Sequence, residues 1–192
     1  MFIQTESTPN PMTLKFLPGR DVLGEASGQD FTAPEAAARS PLAAALLGLD
    51  GVARVYLGGD FITITKADEL DWAHLKPHVL AAIMDHFVAG RPVLLEGEAG
   101  EPEAADETIY EGEAAEIVRE IKELIEARVR PAVARDGGDI VFHSWDHDEG
   151  VVRLIMKGAC SGCPSSTMTL KQGIENMLRH YVPEVSRVEQ AI

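Results

Sequence analysis

Cysteine is scarce in this chain: its 192 residues include two, Cys160 and Cys163. A secreted chain that relied on disulfides would carry more of them, more widely spaced. Both thiols are therefore expected to be reduced and free for metal binding or redox work. Long hydrophobic runs are also missing. Nothing approaches the ~20 apolar residues that span a bilayer, so no membrane partner is expected. The opening MFIQTESTPNP lacks a basic segment followed by an apolar one, and it is not Arg-rich. It thus reads as neither a signal peptide nor a transit peptide. An intracellular protein is expected, or a mature form whose presequence has been removed. No Ser–His–Asp set, phosphate-binding glycine loop or pair of catalytic carboxylates can be argued from spacing, so an enzyme is not expected.

Positive charge is short as well: 17 Lys and Arg face 31 Asp and Glu, for a net charge of −14. Phosphate would be repelled, which speaks against a nucleic-acid partner. The excess is local. Residues 96–113 hold eight acids and no base. The stretch EGEAGEPEAADE at 96–107 has no large apolar side chain to offset its ordering entropy, so a mobile acidic linker is predicted over 96–112. It would divide the chain into domains at 1–95 and 113–192, each within the size range that folds alone. Such a linker would let the first domain stay clear of the second.

What is present reads as α+β. Strands are predicted at 2–7 and 12–17, separated by the turn residues Thr8, Pro9, Asn10 and Pro11. Ser40 and Pro41 start a helix over 40–49 as N-cap and first residue. A hairpin follows at 52–57 and 61–66 around Gly58, Gly59 and Asp60. Leu75, Val79, Ile83 and Phe87 recur at helical spacing within a helix over about 70–88. From 113, Ile117, Ile121, Leu124 and Ile125 make one apolar stripe, with Glu126 paired to Lys122 and Arg130 on the other face. Pro131 should kink or end that helix, and DGGD at 136–139 stops it. Strands at about 139–146 and 151–157, a helix over about 164–181 and a strand at about 185–190 complete an α-β-β-α-β domain, its helices packed on a small sheet.

The chemistry concentrates in GACSGCPSS at 158–166. A C-x-x-C spacing lets two thiolates converge on one metal atom. Gly158 and Gly162 permit the positive φ such a loop often needs, and Pro164 can open the next helix. The helix N-terminus should favour thiolate over thiol. Three readings remain open. Structural zinc requires four ligands, and beyond the cysteines only His143 and His147 are suitably spaced. A thioredoxin-like dithiol–disulfide oxidoreductase also sets C-x-x-C between a strand and a helix, although the parallel βαβ unit of that fold is missing. An iron–sulfur cluster is commonly held by four thiolates. One chain supplies half of these, and a symmetric dimer would supply all at an exposed, easily dismantled site.

Two signatures decide among these. PAVARDGGDIVFHSW at 131–145 with KGACSGCPSSTMTLKQGIENML at 157–178 resembles the C-terminal domain of NifU-like (Nfu-type) iron–sulfur proteins. IQTESTPNPMTLKF at 3–16 is similar to that family's N-terminal domain. The resemblance covers nearly the whole chain. It implies a carrier or scaffold in which Cys160 and Cys163 ligate iron in a [4Fe–4S] cluster bridging a homodimer. The partners it implies are an upstream assembly scaffold and apo iron–sulfur target proteins. A bacterial cytoplasmic location is expected, with the mitochondrial matrix as the alternative.

Plainer roles are expected elsewhere. Asp136–Asp139 reads as a helix stop and turn in preference to a partner contact near the cluster, Ser7–Pro11 as an ordinary turn in preference to a partner surface, and Ser161, Ser165 and Ser166 as helix-start caps or donors to cluster sulfur. Lys157 and Lys171 read as solvated. His74, His78, His86 and His180 are expected on helix surfaces.

Overall fold

The computed structural model describes residues 2–67, 70–95, 109–161 and 164–191, without the side chains of 164–167. The predicted linker thus lies largely outside the described residues, as do Gly162, Cys163 and the side chains of Ser165 and Ser166. The fold is α+β, with two small domains.

The first domain is built on one antiparallel sheet. Its strands are β1 (Gln4–Ser7), β2 (Thr13–Leu17), β3 (Gln29–Phe31), β4 (Val52–Leu57) and β5 (Ile62–Lys66), in the order β1-β2-β5-β4-β3. Three helices accompany them: α1 (Pro34–Ala37), α2 (Pro41–Leu47) and α3 (Trp72–Val88). Alternation along the strands sends Phe16, Val55, Leu57, Ile62 and Ile64 to one face. There they join Leu42 and Leu46 of α2 with Val79 and Ile83 of α3 in a dry core. Ser40 caps α2, its Oγ accepting from Ala43 N at 3.1 Å. His86 departs from its expected place on the α3 surface. It is buried edge-on to Phe87, because the end of the helix turns this face inward.

The second domain opens with α4 (Gly112–Leu124). Pro131 neither ends nor sharply breaks the helical path. The helix widens into a π-helical segment at Ile125–Val129 and continues as α5 (Arg130–Arg135). A proline lacks the N–H for the i−4 carbonyl and crowds that carbonyl, and a wider turn accommodates both defects. The helix stops at Asp136 and Gly137, the latter at φ +80. Strands β6 (Gly138–Asp146) and β7 (Val151–Gly158) pair antiparallel, and β8 (Arg187–Gln190) adds parallel to β7 after α6 (Pro164–Tyr181). Ile121, Ile125, Ile140, Leu154, Ile174 and Leu178 lie in this domain's core.

The two domains touch. The non-core face of the first sheet carries a row running through paired positions: Glu6, Lys15, Thr63, Tyr56 and Asp30, one from each strand. The middle of this row packs on the second domain where β6 begins and β7 ends. The linker's expected effect, holding the first domain clear, is therefore not what the structure shows.

Candidate metal centre

Cys160 lies just past β7, in the short loop that leads to α6. Gly158 supplies the positive φ predicted for this loop, at +60. Ala159 N donates to Gly137 O at 3.1 Å, which ties the loop to the turn that ends α5. The Cys160 side chain turns back toward β6. A Cβ added to Gly138 would overlap Cys160 Sγ and lie 3.0 Å from its backbone nitrogen. The second glycine of DGGD therefore makes room for the thiol as well as helping to end a helix.

Two expectations about this cysteine are corrected. An exposed site was expected, yet Cys160 is only 7% exposed. A thiolate was expected, yet burial pushes the Cys160 thiol up to about 12, with the Asp136 and Asp139 carboxylates adding to the shift. Cys163 lies outside the described residues.

Asp139, beside the site, is held by Arg130: Nε donates to Oδ1 and an Nη to Oδ2, each at 2.8 Å. Arg130 also binds Glu126 at 2.8 Å, the i,i+4 pair expected from the sequence. Tyr56 reaches this carboxylate across the domain boundary. Burial and then Asp139 raise its phenol well above the ordinary tyrosine range.

Asn10 is the residue whose place the sequence reading undervalued. Its Oδ1 accepts from Met12 N at 3.0 Å, forming the turn. Its Nδ2 is thereby aimed at the cysteine loop, where it lies 3.4 Å from Ala159 O and 3.5 Å from Ser161 O. The ST-P-N-P segment is both a turn and a contact surface. The paired proline positions flanking an amide were the available signal.

His143 and His147 do not approach Cys160. At ~3.3 Å per residue, His143 is roughly 16 Å along β6 from Gly138. His147 is exposed in the turn beyond, edge-on to Trp145. A zinc site formed by these four residues does not fit the strand geometry.

Residues 3–90 match the family described as "Scaffold protein Nfu/NifU N terminal", and residues 121–189 match the "NifU-like domain". "NifU-like protein 5, mitochondrial" of Arabidopsis thaliana is 51% identical over 190 residues, covering 99% of this chain and 68% of that protein. The chain belongs to the Nfu/NifU scaffold family. Among other members, "NifU-like protein 4, mitochondrial" of the same plant is 52% identical over 99% of this chain and 66% of its own length. "NFU1 iron-sulfur cluster scaffold homolog, mitochondrial" of Drosophila virilis is 51% identical over 99% of this chain and 61% of its own. This Nfu/NifU chain thus spans about two thirds of these relatives. A solution structure of a NifU-like protein from Saccharomyces cerevisiae aligns with 50% of this chain and 86% of its own, at 26% identity and a TM-score of 0.45. The printed names of the plant and fly relatives label those proteins mitochondrial, which does not support the expected bacterial cytoplasmic location.

Proposed function

We propose that this protein is an iron–sulfur cluster carrier: Cys160 and Cys163 of two chains hold one [4Fe–4S] cluster between them, and the cluster then passes to apo-proteins. The observation that carries the reading is the place of Cys160, in a glycine-shaped loop between β7 and α6, within a chain related over nearly its full length to proteins named as iron–sulfur scaffolds. The donors suit the cargo, since thiolates are the usual ligands of such clusters. Two per chain leave the site incomplete without a second copy, and this supports a homodimer in the loaded state. Release by ligand exchange to a recipient with better ligands needs no catalytic group, which supports a carrier rather than an enzyme. An upstream scaffold would supply the cluster. A dithiol oxidoreductase is the weaker reading, because a buried thiol is poorly placed to attack a disulfide.

Anaerobic reconstitution with iron and sulfide tests this. A brown dimer is expected, with one cluster's worth of iron and sulfide per two chains. Cys160→Ser or Cys163→Ser should abolish uptake and leave the circular dichroism of the apo chain unchanged. A colourless product that reduces disulfides would sink the carrier reading.

A further inference from the structure

An antiparallel sheet with one face on a core usually leaves its other face to water. Here that face is buried at its centre: Lys15 is 6% exposed, Tyr56 2% and Thr63 1%, and Asn10 beside them 3%. What buries them is the segment surrounding Cys160. Lys15 Nζ donates to Ala134 O at 2.9 Å and Arg135 O at 3.1 Å. These carbonyls lie at the end of α5, where Ala134 O also accepts from Gly137 N at 3.1 Å, and a cation suits that end of the dipole. Thr63 Oγ1 donates to Gly137 O at 2.7 Å. Asn10 reaches the carbonyls on both sides of Cys160. The Tyr56 ring lies against Gly158, where an added Cβ would meet it at 3.1 Å. Each of these donors addresses a main-chain carbonyl, so the surface recognises the backbone path of the loop.

We propose that the N-terminal domain is a cap: its polar sheet face is a docking surface whose partner is the 134–161 segment of its own chain, and it must lift before a second chain's loop can meet Cys160. The second clause rests on the carrier reading; the docking itself does not. Asn10 holds the carbonyls on both sides of Cys160, so on this proposal the loop is engaged by one partner at a time, and the docked chain and the cluster-bridged dimer exclude each other.

The test uses the full apo chain. In a Cys163→Ser background, the rate at which iodoacetamide alkylates Cys160 reports the open fraction. Lys15→Met combined with Thr63→Val should raise that rate about tenfold or more, given the usual worth of charged and neutral hydrogen bonds. Ser40→Ala weakens the same domain away from the dock and should leave the rate unchanged. An equal rise in both variants, or none in the folded dock variant, overturns the cap. Should the dock variant fail to fold, X-ray scattering of the unsubstituted apo chain decides. A radius of gyration near ~16 Å, that of a compact body of this length, supports docking, and a clearly larger one overturns it. Reconstitution with both cysteines present separates the two proposals. Faster alkylation with no cluster uptake by any variant sinks the carrier reading and leaves the cap. Faster alkylation with faster uptake supports both. Faster alkylation with uptake at the unsubstituted rate overturns the claim that lifting precedes loading.

Discussion

Gly138 and His86 show how much a single position can carry. A methyl group at Gly138 has nowhere to go, since Cys160 Sγ, Cys160 N and Lys157 O already surround the space. Gly138→Ala is therefore expected to cost roughly 1–3 kcal/mol in urea denaturation. His86 is a base buried in the first domain, and burial, followed by the nearby Arg91 charge, lowers its pKa from the ordinary 6.5. The unfolded chain then binds the extra proton more readily than the folded one. Stability should fall as pH drops through about 6.5 and below, and His86→Leu should flatten that slope in thermal melts between pH 7 and 5. Neither role was legible in the sequence. DGGD announced a turn, but what the glycine faces depends on the β6–β7 pairing. The helical period marked Leu75, Val79, Ile83 and Phe87 as inward; His86 takes the fully buried end of that stripe despite its polarity, and Phe87 is half-buried.

Local chemistry was more readable at the level of elements. The Ser40–Pro41 start of α2 appears as the sequence predicted, and the serine does more than cap. Its hydroxyl also donates to Val93 O at 2.6 Å, holding the chain after α3 against the start of α2. Ser40→Ala removes both bonds at a fully buried site and should cost about 2 kcal/mol, measurable by chemical denaturation. The hairpin around Gly58–Asp60 and the stripes of α3 and α4 were visible for the same reason: period and punctuation are local. β3 and α1 were not, because three- and four-residue elements carry no period, and β3 exists only by pairing with β4. The π segment lies between these extremes. Pro131 signalled a defect, and packing of Ile125 and Val129 into the core determined that the helix would widen rather than stop.

For the whole molecule, the sequence drew attention to Cys160 and Cys163, and the family signatures indicated what they would hold. The contact between the domains was hidden, because alternating polar residues on β2, β4 and β5 look the same whether they face water or another domain. Tyr56 offers a measure of that contact. Burial against the second domain, with Asp139 adding, keeps its phenol protonated above the ordinary 10.0. This contribution to stability is whole below about pH 10 and is lost as pH rises beyond it. Ultraviolet titration should show one of the three tyrosines ionising late, as the domains part, and Tyr56→Phe should lack that late phase. The row of Lys15, Thr63 and Tyr56 has a further consequence. Its three central strands must be in register for these side chains to line up. A slip of one residue would turn Leu14 or Phe16 outward and Lys15 into the core. The cysteine loop can therefore be seated only by a correctly paired sheet, and a first domain folded out of register offers it no matching surface.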